Sequence, residues 1–203
     1  MAPHADNAGD PGTEVAFLCD AMLGGLARWL RAAGYDAEFE HGIPDPVLVA
    51  RAAATGRVLL SSDAGVFERS IVRKEVVRSL FVPRATPILD QLRFVLRELK
   101  LPIREPRCMG CGGELVEVPK EDVRAEAPQR TFECQTRFWR CARCGKLLWK
   151  GTHWEGIVAR LDEVASSLPD AGGAQNKMEL DPNTNADAAP QPSPSGSGPG
   201  GRA

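Results

Sequence analysis

Two cysteine pairs, Cys108-Met109-Gly110-Cys111 and Cys141-Ala142-Arg143-Cys144, stand 29 residues apart. Thiolates at this spacing form tight knuckles, and two knuckles supply the four sulfurs of a tetrahedral structural Zn²⁺ site. Gly112 and Gly145 follow the second cysteine of each pair. Glycine there lets the backbone turn its amides toward the sulfurs. The gap is longer than the common spacing of roughly 15–20 residues, so it should hold a long hairpin or loop. A redox dithiol is the rival chemistry, and two matched knuckles argue against it. Cys19 ends an apolar run and reads as a small buried residue. Cys134 has no near partner. It reads as a bystander, able to compete for the metal only if the knuckles are loose.

The second chemistry is acidic. Asp20 follows the run Val15-Ala16-Phe17-Leu18-Cys19, Asp63 follows Val58-Leu59-Leu60-Ser61-Ser62, and Asp45 opens a helix led by Pro46. Carboxylates gathered at one place repel and raise each other's pKa unless a cation binds. Oxygen ligands suit hard ions such as Mg²⁺ or Mn²⁺. The alternative for any one of these acids is a helix N-cap, and Asp45, just before a proline, is the most cap-like. Glu68 and Asp90 are weaker candidates, Asp90 being in a first helical turn where the dipole favours it. Asp36 and Glu40 read as surface groups.

Elements that could position these residues follow from the apolar spacing. Residues 15–19 are a continuous apolar run, as in a strand buried on both faces, and Val58-Leu59-Leu60-Ser61-Ser62 reads as the next buried strand. Met22, Leu23, Leu26, Ala27, Leu30 and Ala33 recur at helical spacing with Gly34 as the stop, and Arg28 and Arg31 lie off that stripe. A helix from Asp45 to Gly56, a short helix within 64–72, a strand within 76–82 and a helix after Thr86-Pro87 complete the series. Strand and helix alternate, which predicts an α/β fold: a mainly parallel sheet flanked by helices, with ligands at the carboxyl ends of its strands. The expected organisation is an N-terminus disordered over 1–13, a first domain at 14–101, a linker at 102–107, a zinc-ribbon module at 108–165 and a disordered tail at 166–203. The tail is rich in Pro, Gly, Ser, Asn and Ala, too apolar-poor to fold.

The whole chain has 203 residues and a net charge of −2, which at face value disfavours nucleic acid. Both ends are acidic, so residues 14–165 are net positive. Between Pro128 and Lys150, Arg130, Arg137, Arg140, Arg143, Lys146 and Lys150 face Glu133 alone, interleaved with Phe132, Phe138, Trp139 and Trp149. Cations beside aromatic rings suit phosphate contact and base stacking on single-stranded nucleic acid. The other reading makes the tryptophans the small core of the module and the cations a solvated face. His153 reads as a structural hydrogen-bonding residue. No apolar run approaches the ~18 residues of a membrane span. The first residues lack a basic start and an apolar stretch, so no secretory signal is expected. Six cysteines then point to a reducing compartment.

The segment Phe17-Leu18-Cys19-Asp20-Ala21-Met22-Leu23-Gly24-Gly25-Leu26-Ala27-Arg28-Trp29-Leu30-Arg31 resembles the opening of the Mut-seven-C ribonuclease domain family, PIN-like nucleases with an appended zinc ribbon. Gly34-Tyr35-Asp36, Gly56 to Asp63, Gln91-Leu92-Arg93, Phe138-Trp139-Arg140-Cys141 and Trp149-Lys150-Gly151-Thr152-His153-Trp154 extend the resemblance over about Val15 to Leu161. It implies a PIN-like fold, a cytoplasmic location and metal-dependent RNA cleavage. Asp20 and Asp63 match the strand-end acids, Asp45 an acidic position opening the second helix, and Arg28 a basic position on the first. Ser62 stands where the family usually has Arg, and Pro46 where it often has a further acid.

Three functions compete. The first is an endoribonuclease acting on single-stranded RNA. There Asp20, Asp45 and Asp63 hold Mg²⁺ or Mn²⁺, Arg28, Arg137, Trp139 and Arg140 contact RNA, and Cys108, Cys111, Cys141 and Cys144 hold Zn²⁺. The second is a zinc-ribbon RNA-binding adaptor with a vestigial nuclease site. The third is a protein-interaction module in RNA processing. Protein partners and RNA target are not specified by the residues.

Overall fold

A computed structural model describes residues 14–69, 72 and 74–169. Four short strands, β1 (Ala16–Cys19), β2 (Asp36–Phe39), β3 (Val58–Ser61) and β4 (Ser79–Phe81), form one sheet in the order β2-β1-β3-β4. Every pairing is parallel. The helices between them are α1 (Gly24–Ala32), α2 (Asp45–Thr55) and α3 (Ala64–Glu68), with α4 (Ile88–Glu98) after β4. Alternation along the strands sorts the core into two layers. Phe17, Cys19, Val58 and Leu60 pack with Leu26, Leu30, Leu92 and Leu96 on one face. Leu18 and Leu59 pack with Leu48, Val49, Val66 and Val77 on the other.

β2 is absent from the sequence reading and supplies an edge of the sheet. Tyr35, Ala37 and Phe39 alternate with Asp36 and Glu38, a period-two signal that the continuous-run criterion passes over. The expected strand within 76–82 shortens to β4.

Beyond α4, residues 101–107 run along α1 and are anchored to it. The amide of Arg104 donates to the Ala33 carbonyl and that of Arg107 to the Arg31 carbonyl. The Tyr35 hydroxyl donates to the Pro102 carbonyl at 2.5 Å. Burial pushes that phenol up to about 12, so it remains a donor at neutral pH. Tyr35→Phe leaves the Pro102 carbonyl without this partner, and a loss of about 1–2 kcal/mol in urea denaturation is expected; an unchanged midpoint would remove this contact from the account.

A second, antiparallel sheet follows: β5 (Leu115–Val118), β6 (Phe138–Cys141) and β7 (Leu147–Trp149). The long gap between the knuckles is the expected hairpin, β5 to β6, but its connection is partly helical. A 3-10 turn (Lys120–Val123) and α5 (Gln129–Cys134) lie over one face of the sheet. Phe138, Val123 and Ala127 form a small core with Val118, Phe132 and Leu147. The last helix, α6 (Thr152–Ser166), returns to the first layer: Ile157, Leu161 and Val164 are buried with Leu26 and Leu92. The disorder expected for 1–13 falls outside the described residues. So does that of 166–203, except 166–169, where Ser166 closes α6 and Leu168 packs on the core.

Candidate active site and metal centre

β1 and β3 are neighbours, yet the chain leaves β1 toward one edge and β3 toward the other. Ligands of such sheets bind beyond the carboxyl ends at this switch point. Asp20 and Asp63 stand there, joined through hydrogen bonds. The Ser61 hydroxyl donates to Asp20 Oδ2 at 2.5 Å and accepts from the Asp63 amide at 3.0 Å. The Ser62 amide also donates to Asp20 Oδ2, at 2.8 Å, and the Met22 amide to Oδ1, at 2.8 Å. Asp20 is therefore buried and held in one orientation.

Asp63 is exposed, and its Oδ1 accepts from the Gly65 amide at 2.8 Å, capping α3. Asp45 is not a cap. Extended Pro44 occupies the cap position, so Asp45 and Pro46 lie inside the first turn. The Asp45 carboxylate instead faces Arg69, Oδ2 to Nη2 3.6 Å. The structure thus ties the Asp20 carboxylate through Ser61 to the main-chain amide of Asp63, leaves the Asp63 carboxylate on the Gly65 amide, and holds Asp45 on a separate partner. Among the described residues these three carboxylates form no ligand cluster of the kind the cysteines do. Arg28 is exposed on α1, with no ion pair among the described residues. Glu68 is exposed, and Asp90 pairs with Arg93.

The sulfurs of Cys108, Cys111, Cys141 and Cys144 all lie within 4.8 Å of one another, a cluster that can hold a metal ion. Cys108 to Cys144 is 3.8 Å and Cys111 to Cys141 is 3.4 Å. A tetrahedron with metal–sulfur bonds near 2.3 Å has edges of about 3.8 Å, so the donor set fits zinc. Gly112 and Gly145 adopt positive φ, as their place after each knuckle predicts. Burial raises the Cys108 and Cys111 thiols. At Cys141 burial acts the same way, but the Cys144 and Arg143 amides and the Cys111 thiol bring it down to about 7. Cys134 is exposed and outside the cluster. Cys19 is buried, which lifts its thiol to about 12 with help from the Asp20 charge.

Between the cysteines and the first sheet lies a polar node that the sequence reading placed on the surface. Arg31 is buried rather than off the apolar stripe. It follows Ala27 by four residues and so shares the buried face. Its Nε donates to the Ala37 carbonyl at 2.7 Å, and its Nη1 to the knuckle carbonyls of Met109 and Gly110 at 3.1 and 2.8 Å. Asp36 is buried as well, a correction to its reading as a surface group. Its carboxylate accepts from Arg57 at 2.7 Å and from both terminal nitrogens of Arg143 at 3.2 and 3.0 Å. Arg143 in turn donates to the Cys111 carbonyl at 2.7 Å. A Cβ on Gly112 would meet the Asp36 carboxylate at 2.6 Å, so that knuckle requires glycine for space as well as for φ. Glu40 does pair at the surface, with Arg51.

Three of the six basic residues between Pro128 and Lys150 are ion-paired among the described residues, Arg143 with Asp36 as above and two within the ribbon. Arg137 makes a two-point contact with Glu117 (2.9 and 2.7 Å), and Arg140 with Glu126 (3.0 and 2.8 Å). The acids come from β5 and the helical insertion, outside the window in which the sequence charge was counted. Trp139 is half-buried, with Arg137 and Lys150 each about 5 Å from its ring centre. Phe138, not a tryptophan, is the buried aromatic of this sheet, and Trp149 is exposed. His153 is exposed, with no hydrogen bond among the described residues, against its reading as a structural bonding residue. Arg130, Lys146 and Lys150 have no ion pair among the described residues. No described helix is long and apolar enough to cross a membrane.

A parallel sheet with two acids at its switch point, followed by an antiparallel ribbon whose four cysteines could hold a metal ion, defines an α/β domain with an attached cysteine ribbon. The family model of the Mut7-C RNAse domain matches residues 15–161, and the chain belongs to that family. Neither the curated proteins nor the solved structures give a match.

Proposed function

We propose that the protein is a cytoplasmic, metal-dependent endoribonuclease acting on single-stranded RNA. The observation that carries this is the Asp20–Ser61–Asp63 linkage at the β1/β3 switch point of a chain that belongs to a ribonuclease-domain family. Oxygen donors suit Mg²⁺ or Mn²⁺, and Mg²⁺ is commonly held by one or two carboxylates with water and substrate phosphate completing the shell. Asp20 and Asp63, at the ends of neighbouring strands, are of the donor type such an ion takes. A divalent ion there would supply charge stabilisation and an activated water.

Asp20 and Asp63 are the holding acids, with Asp45 an outlying third. Ser61 fixes the Asp20 carboxylate and thereby the direction in which it presents its remaining lone pairs. Arg28, exposed one turn into α1, is placed to meet phosphate. The four cysteines hold Zn²⁺ as a structural ion, and the ribbon lends RNA contacts through Arg137, Trp139, Arg140 and Lys150. With two of these arginines on carboxylate partners, RNA must displace Glu117 and Glu126 to use them fully.

The test is a titration of labelled, unstructured RNA with and without Mn²⁺. Mn²⁺-dependent cleavage is expected, and Asp20→Asn should reduce it at least a hundredfold, the loss of charge at the metal outweighing the retained shape. Cleavage surviving in Asp20→Asn would end the nuclease reading. Salt-sensitive binding without turnover would instead favour the adaptor, for which the cation-flanked Trp139 is the supporting observation.

A further inference from the structure

Arg69 ends α3, the helix that Asp63 caps at its start. The five residues of this short helix separate the two. Between them Ala64 and Gly65 are exposed and small, leaving that stretch open to an approaching strand. The Arg69 side chain rests on Asp45 by one contact of 3.6 Å from Nη2. Charge-assisted hydrogen bonds are ordinarily about 2.7–2.9 Å, so this contact is loose. On the same edge of the guanidinium, Nε is buried and has no acceptor among the described residues, while the side chain as a whole is 38% exposed. A buried donor without a partner is unfavourable, and the Nε–Nη2 edge is a fork spaced for two oxygens of one oxyanion. One prong is loosely held and the other has no acceptor among the described residues.

The side chain is not needed to close the turn it sits on. The backbone does that, with the Arg69 amide donating to the Val66 carbonyl and the Val72 amide to the Arg69 carbonyl. Ser62, beside Asp63, is uncharged, and its hydroxyl donates to the Val82 carbonyl at 2.8 Å.

We propose that Arg69 is a substrate-binding residue whose Nε–Nη2 edge takes two oxygens of an RNA backbone phosphate, exchanging Asp45 for that phosphate when the strand binds. The proposal rests on the ribonuclease reading above and assigns a contact that the sequence did not indicate. Asp45 acts as the place-holder that keeps the guanidinium at the site in the free protein.

The test measures binding of a labelled 12-residue oligouridylate by fluorescence anisotropy over a range of salt. It uses full-length Asp20→Asn protein without added divalent metal. In this background Arg69→Gln should raise Kd about tenfold and make the log–log salt slope shallower by about 0.7, the share of one phosphate contact on a single strand. Arg69→Lys should keep the slope but not the affinity, since an ammonium lacks the fork. Asp45→Ala, by releasing the guanidinium, should tighten binding about threefold. Unchanged Kd and slope in Arg69→Gln would overturn the proposal, as would a fall in melting temperature with the slope intact, which marks a structural ion pair. Where Arg69→Gln fails to fold, Arg69→Lys decides: Kd equal to that of its parent overturns the proposal. Failure of the ribonuclease reading shows separately, as cleavage that survives Asp20→Asn in the presence of Mn²⁺.

Discussion

Removing metal from the four-cysteine site with a chelator is expected to unfold residues 108–149 while the four-stranded sheet and the helices α1, α4 and α6 remain folded. The ribbon has little else to hold it. Its core is Phe138, Val123 and Ala127 with three half-buried neighbours, and a structural zinc site contributes on the order of 10–16 kcal/mol of binding free energy to folding. The helix α6 follows the ribbon in sequence but is buried with Leu26 and Leu92. Its attachment therefore does not depend on the metal. Hydrogen exchange read by mass spectrometry checks this directly. Fast exchange should spread through 108–149 after chelation, with β1, β3, α4 and α6 still protected. Unchanged exchange in 108–149 after confirmed metal loss would show that the ribbon stands without its ion. Loss of protection everywhere would show one cooperative unit, with the knuckle carbonyls on Arg31 as the coupling.

Asp36→Ala is the second large effect. The carboxylate is 12% exposed and faces Arg57 and Arg143, with Arg57 nearly as buried and Arg143 about half exposed. Removing one partner of a buried charge set leaves the others uncompensated and costs about 3 kcal/mol, toward the low end because Arg143 still reaches water. For a chain of this size that is a fall of roughly 6–12 °C in melting temperature. A fall under about 2 °C would show that solvent replaces the carboxylate without loss. The same node carries a pH dependence. Burial alone would raise the Asp36 pKa, but hydrogen bonds from Arg143 and Arg57 outweigh it and hold the carboxyl below its ordinary value. A group whose pKa is lower in the folded state adds stability above its unfolded pKa, near 4, and loses it as pH falls through the folded value. Acid unfolding of the wild type should therefore steepen below about pH 4, and Asp36→Ala should lack that component.

Much of this protein was legible before its fold was known. The apolar residues of 15–19 and 58–60 and the helical stripe from Leu23 to Leu30 place Asp20 and Asp63 at strand ends, because burial demands local periodicity that survives in one dimension. The cysteine knuckles are equally local: two residues between ligands and a glycine after them fix a metal-holding turn whatever surrounds it. What the sequence misplaced was pairing over long separations. Asp36 and Arg143 lie 107 residues apart and meet only because β2 runs beside β1 and sets the knuckle against it. The charge on Arg137 and Arg140 looked available until β5 and the helical insertion brought Glu117 and Glu126 to them. Asp45 looked like a cap, but extended Pro44 takes that position and the Asp45 carboxylate faces Arg69, at the end of α3. Residue type and local spacing fix which side chains can bind metal and which elements carry them. Which charges compensate one another is set by packing, because ion pairing acts through space, on whatever side chains the apolar faces bring within a few ångströms.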